Sequence, residues 1–169
     1  MLGLHSKIGS EIMYSVKKYY FSQFANLFHQ SRISLASEDI NDKLQQLIKL
    51  YDNYMHNSDM RVSPSGGCEY IIFTKHCSLT NDIQGYKFIW GNFSTNSDCE
   101  FFETYISECH RQQGNAKELV SAAVEWAINS GANKFSLALI KNDRGTNYLT
   151  SVYQSMEEKF KGKCTFVYK

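Results

Sequence analysis

Arg111-Gln112-Gln113-Gly114-Asn115-Ala116 decides how this chain reads, because it joins a strand-like run to an amphipathic helix. Upstream, Glu100-Phe101-Phe102-Glu103-Thr104-Tyr105-Ile106 is aromatic and β-branched, which suits a pleated, half-buried strand. Downstream, Ala116, Leu119, Val120, Ala123, Val124, Ala127 and Ile128 recur at helical spacing and turn one stripe toward a core. The spacing predicts a helix from about Asn115, stopped by Ser130-Gly131. The first turn of a helix carries N–H groups without intrahelical partners and a partial positive charge, so an anion docks there if the backbone can be approached. Gly114 removes the side chain that would block that approach.

Working outward, residues 134–140 read as a second strand and complete a β-α-β unit. A helix is expected over residues 6–28, with Ile8, Ile12, Val16, Tyr20, Phe24 and Leu27 on one side. Lys17 and Lys18 near that stripe admit a membrane-surface or partner-binding role, against simple packing on the domain. Ser37 suits an N-cap, with Glu38 and Asp39 in the first turn of a helix running through Leu44, Leu47, Ile48 and Tyr51. Residues 57–67 hold Pro64 and Gly66-Gly67 and read as a loop or hinge. Residues 69–75 and 86–93, joined through Asn81-Asp82 and Gly85, read as a hairpin. Residues 149–156 form a last helical stripe, and 163–168 a final strand.

At 169 residues the chain fits one domain, and a 43% hydrophobic, 14% aromatic composition is enough to pack its core. Eighteen basic against 17 acidic residues leave a net charge of +1, so no global field attracts nucleic acid or an anionic membrane. No apolar run approaches the roughly 18 residues of a membrane span, which argues against integral membrane contact. Five widely spaced cysteines (Cys68, Cys77, Cys99, Cys109, Cys164) show neither a zinc-like cluster nor a C-x-x-C pair. Free thiols in a reducing, cytoplasmic compartment and no bound metal are the expectation.

The strand, loop, glycine, helix and strand together resemble the acetyl-CoA-binding core of the GNAT N-acetyltransferase superfamily. Its signature is Gln or Arg, two residues, Gly, one residue, then Gly or Ala, and Arg111, Gly114 and Ala116 fill the fixed positions. Ile106 stands five residues before Arg111, where the family usually has a Val whose backbone meets the thioester. The similarity covers residues 32–156, with 32–36 resembling the opening strand. It implies an α/β (α+β) fold: a mixed, mostly antiparallel sheet of about six strands flanked by helices. Residues 1–31 would be an N-terminal helical extension and 32–169 the acyltransferase domain. The chain departs from the family at Glu108, Gln112 and Thr146, where Pro, a small residue and Asn are usual, although Asn142 and Asn147 lie close by. It also has one candidate terminal strand where the family usually has two.

The resemblance implies acetyl-CoA as co-substrate. Thr104, Tyr105 and Ile106 would lend backbone to the pantetheine and thioester, and Arg111, Gln112, Gln113, Gly114, Asn115 and Ala116 would hold the pyrophosphate. Strict alternation puts Glu100, Phe102, Thr104 and Ile106 on one face and Phe101, Glu103 and Tyr105 on the other. Glu100 matches the base of the histone-acetylating branch, against an ordinary solvated strand-end glutamate; His110 is a second candidate. Tyr153 matches the acid that protonates the departing thiolate, against a core tyrosine on the stripe of Leu149, Val152 and Met156; Tyr148 is the substitute. Glu108-Cys109-His110 is not read as a triad, because neighbouring side chains point apart. The segment 54–62 corresponds to the family's acceptor wall. The leading function is acetyl transfer to a primary amine of a small molecule or protein. The alternatives are a GNAT-fold enzyme with another acyl donor, suited by the aromatic content of 86–102, and a non-catalytic module that binds CoA or a partner. A homodimer or protein partner would be met through the N-terminal helix.

Overall fold

A computed structural model describes residues 16–30, 32–35, 37–56, 69–93, 97–137 and 143–168. Six strands form one sheet in sequential order: β1 (Val16–Tyr20), β2 (Glu69–His76), β3 (Ile83–Gly91), β4 (Ser97–Ile106), β5 (Ala132–Leu137) and β6 (Thr165–Tyr168). The first four run antiparallel; β5 and β6 add in parallel through two β-α-β crossovers. Among the described residues four helices cover the sheet: α1 (Phe21–His29), α2 (Glu38–His56), α3 (Asn115–Asn129) and α4 (Asp143–Lys159). The mixed, mostly antiparallel α/β architecture expected from the sequence is the one observed.

Each face of the sheet has its own core. On one side Leu119, Val120, Ala123, Val124 and Ala127 of α3, with Val152, Tyr153 and Met156 of α4, pack on Ile71, Phe73, Ile89, Phe101 and Phe135. On the other, Phe21 and Phe24 of α1 and Ile40, Leu44, Leu47 and Ile48 of α2 pack on Ile72, Ile83, Tyr86 and Phe88. The 3.6-residue and two-residue periodicities bury their own stripes, and close packing of the two layers follows from that.

The N-terminal stretch corrects the sequence reading. Residues 16–20, expected in a long helix, form β1, paired from Val16↔Lys75 to Tyr20↔Ile71, and only Phe21–His29 is helical. The outer edge of β2 offers unpaired N–H and C=O groups, and Val16, Tyr19 and Tyr20 favour a pleated surface, so the ladder outweighs a weak helical preference. Residues 6–15 lie outside the described residues. Phe21, Phe24 and Ala25 are buried against the sheet, so this part of the apolar stripe packs on the domain. Lys17 Nζ bonds Asn81 Oδ1 at 3.1 Å and the exposed Lys18 places its Nζ 4.6 Å from the Trp126 ring centroid. The opening strand expected at 32–36 is reduced to a single parallel bridge, Leu35↔Ile83.

Gly85 is needed where β3 passes the end of β4. A Cβ there would lie 2.6 Å from Ile106 Cδ1 and 2.8 Å from the Tyr105 carbonyl oxygen. The second contact is backbone and cannot rotate away, so Gly85→Ala is expected to cost about 2 kcal/mol. A urea titration showing no shift in midpoint would contradict this.

Candidate active site

The candidate site is built along β4. Along β3 this strand is paired from Gly91↔Cys99 to Gly85↔Ile106. Along β5 the ladder runs only from Ser97↔Ala132 to Phe101↔Leu137. β4 continues past Phe101 to Ile106 and leads into the loop before α3.

A bulge re-aims the side chains at this point. Phe88 pairs with Glu103 but Ile89 pairs with Phe101, leaving Phe102 as the extra residue in β4. Strict alternation predicted Glu100 on the face of Thr104 and Ile106; the bulge separates them. Glu100 lies opposite Trp90 on the α2 side, with Glu103 and Tyr105. Thr104, opposite Lys87, and Ile106, packed on the α3 cluster, face the other way with Phe101. Glu103 accepts from Tyr86 Oη at 2.9 Å and from Lys43 Nζ at 3.4 Å.

After β4, Ser107 is buried and its N–H donates to the Gln84 carbonyl at 2.8 Å. A 3-10 turn, Glu108–His110, leads to Gln112 at φ 63° and Gly114 at φ 80°. Asn115 Nδ2 donates to the His110 carbonyl at 2.9 Å and closes the loop from below. Gly114 caps α3 without a side-chain hydrogen bond, and no atom lies within 4 Å of where its Cβ would be. The first-turn N–H groups of α3 thus face a cleared approach, which fits a phosphate group. Arg111, Gln112 and Gln113 are exposed around it, whereas Asn115 and Ala116 are buried beneath. Arg111 turns back from the loop: Nε donates to the Ile106 carbonyl at 3.0 Å and the guanidinium lies 5.3 Å from the Tyr105 ring centroid. Cys109 is exposed, with Sγ 3.5 Å from Ser107 Oγ.

Asp39, read from sequence only as a first-turn acid, ties α2 to this loop. Its Oδ1 accepts from Ser37 Oγ at 2.6 Å and Ser107 Oγ at 3.1 Å; its Oδ2 accepts from Tyr105 Oη and the Glu108 N–H, both at 2.8 Å. Burial pushes its carboxyl upward, but these four donors outweigh burial and hold it well below the usual carboxylate range. Sequence carried no signal for the hub, since the Tyr105 and Glu108 donors lie 66 and 69 residues away.

Tyr153 lies on the α3/α4 side, buried against Phe101 and Phe166 with ring centroids 5.9 Å from each. Its Oη accepts from Lys87 Nζ at 2.6 Å. Lys87 is 2% exposed, with its Nζ 4.9 Å from the centroid of Phe101. Burial drives the Lys87 ammonium down to about 7, opposed by Cys99 and Glu103. Sequence reading passed over this lysine; its place inside an otherwise apolar strand was the available signal. Glu100 and Tyr153 thus sit on opposite faces of the sheet. The side chains of Tyr148, Thr146 and Asn147, residue Asn142, and the side chains of segment 54–62 fall outside what is described. Among the described residues no three His, Cys, Asp or Glu side chains converge as metal ligands, and no helix is long and apolar enough to cross a membrane.

No protein-family model matches the sequence, and no curated protein sequence matches it significantly. Solved structures share its shape. A probable acetyltransferase aligns with a TM-score of 0.50 at 14% identity, over 83% of this chain and 87% of that one. An aminoglycoside acetyltransferase from an uncultured soil metagenomic sample, solved with sisomicin, gives 0.44 at 14% identity, over 94% and 97%. A ribosomal-protein-alanine N-acetyltransferase from Brucella melitensis biovar Abortus 2308 gives 0.45 at 13%, over 83% and 88%. With its mostly antiparallel sheet and crossover helices, the chain has a GNAT-like fold.

Proposed function

We propose that this protein is an N-acetyltransferase that moves an acetyl group from acetyl-CoA to a primary amine of a small molecule or protein. The observation that carries this reading is β4 leading into the Gly114 loop, where Gly114 at φ 80° leaves a cleared approach to the start of α3. Thr104, Tyr105 and Ile106 supply backbone beside the pantetheine and thioester. Arg111 and the loop from Gln112 through Gln113, Gly114 and Asn115 to Ala116 hold the pyrophosphate, with Arg111 swinging from the Ile106 carbonyl onto it. Acetyl-CoA supplies an acyl group activated as a thioester. Glu100 takes the proton that the acceptor ammonium must lose before its nitrogen can attack. Tyr153 gives a proton to the leaving sulfur.

Calorimetric titration with acetyl-CoA tests this reading. Micromolar binding is expected, and Gly114→Ala should weaken it by about tenfold or more, or ~1.4 kcal/mol. The same substitution costs the fold only about 1 kcal/mol, for a left-handed alanine in open space. Failure of the native chain to bind would overturn the reading. A longer acyl-CoA titrated in parallel reads the alternative donor.

A further inference from the structure

A lysine sealed in an apolar core needs a reason, because a buried ammonium without strong partners is costly. Lys87 Nζ donates to the Tyr153 hydroxyl, 2.6 Å away. The surroundings explain why the pair is so closely coupled. Lys87 Nζ lies over the Phe101 and Tyr153 rings, at 4.9 and 5.3 Å from their centroids. Across the ladder Lys87 is paired with Thr104, whose buried hydroxyl has no hydrogen-bond partner among the described residues, and Cys99 and Glu103 of β4 act on it electrostatically. The described core residues of α3, β5 and β6 on this face, such as Leu119, Val120, Leu137 and Phe166, bring no charge.

We propose that Lys87 is a positioning residue that acts through Tyr153 as a proton reservoir for acyl transfer, an inference that rests on the acetyltransferase reading above. When the carbon–sulfur bond breaks, its electron pair stays on sulfur. The sulfur takes the Tyr153 proton, and the Lys87 ammonium passes a proton along the 2.6 Å bond to the phenolate oxygen. An N–H and an O–H bond break while an S–H and an O–H bond form. Charge leaves the lysine rather than accumulating on the tyrosine. Lys87 regains its proton through Tyr153 once water enters after product release. The ammonium also fixes the hydroxyl as an acceptor on the lysine side, which leaves the phenolic hydrogen to point elsewhere. Because burial pulls Lys87 down to about 7, the reservoir is filled below that pH and empties above it.

The test uses the native full-length chain with tyrosine labelled at Cζ, followed by carbon NMR. Tyr153→Phe identifies the Tyr153 signal among the eleven tyrosines. The native Tyr153 signal should show a step between about pH 6 and 9, because it senses the lysine beside it. Lys87→Met should abolish the step. In turnover, the native kcat should fall on the alkaline side with a midpoint near the same pH. Lys87→Met should lower kcat by about tenfold or more and lose that fall, with KM for acetyl-CoA unchanged. A flat native Tyr153 signal, or superimposable kcat–pH curves for native and Lys87→Met, would overturn the inference. The native titration decides even if Lys87→Met and its backup Lys87→Gln fail to fold. Calorimetry on native protein keeps the two ideas apart. Binding and turnover without the step sink only the reservoir; no acetyl-CoA binding sinks the acetyltransferase reading, and this role for Lys87 with it.

Discussion

Asp39→Ala is expected to lower folding stability by about 3 kcal/mol, the largest single-residue effect on the fold outside the apolar core. The carboxylate gathers four donors from the start of α2, β4 and the following loop, and its removal takes the acceptor from the Tyr105 hydroxyl and the Glu108 N–H, while Ser107 Oγ keeps Ser37 Oγ at 2.7 Å. Donors to a charged acceptor are individually strong, but solvent reaches this site, so the total is well below their simple sum. The pH dependence has a definite sign. The folded carboxyl is held below its unfolded value, so its stabilisation is complete above about pH 4 and is lost as the pH falls further. Asp39→Asn should abolish that part of the acid slope. Its amide nitrogen cannot accept from the Glu108 N–H or the Tyr105 hydroxyl. Chemical denaturation of native, Asp39→Ala and Asp39→Asn proteins at neutral and acidic pH reads both effects; equal midpoints for all three at neutral pH would show that the hub contributes nothing.

Glu100→Gln and Tyr153→Phe are each expected to reduce kcat by about a hundredfold to a thousandfold, or roughly 3–4 kcal/mol of barrier. Their structural consequences differ, which makes the pair informative. Glu100 is half-buried opposite Trp90, and Glu100→Gln keeps its size and shape, so it should cost less stability than Tyr153→Phe. Tyr153→Phe withdraws the acceptor from a buried ammonium and should destabilise by about 1–3 kcal/mol below neutral pH, where Lys87 is charged. Above neutrality that penalty shrinks, because the neutral amine is cheaper to leave unpaired. The double substitution should lose less than the sum, since both act on one transfer. Steady-state kinetics across pH, with thermal unfolding of the same samples, separates the two roles; native turnover in both single variants would remove them from the mechanism.

Asp39→Ala, Glu100→Gln and Tyr153→Phe also mark how far sequence reading reaches here. Local periodicity by itself determined α3, because the Ala116, Leu119, Val120, Ala123 stripe needs no partner to be recognised, and Gly114 before it already defined a cleared helix start. The hairpin of β2 and β3 and the β-α-β order were legible for the same reason: apolar spacing and turn residues are short-range properties. Tertiary structure decided the rest. Residues 16–20 became β1 because the edge of β2 was there to pair with. The bulge at Phe102 exists only in register with β3, and that one extra residue moved Glu100 to the face of Glu103 and Tyr105. Asp39 and Ser107, like Lys87 and Tyr153, are brought together across 68 and 66 residues, where no local pattern records the meeting. Sequence alone therefore determined which faces are apolar and where a glycine precedes a helix; only the packed sheet determined which polar side chains meet, because register and long-range contact are properties of strand pairing and not of the residues taken in order.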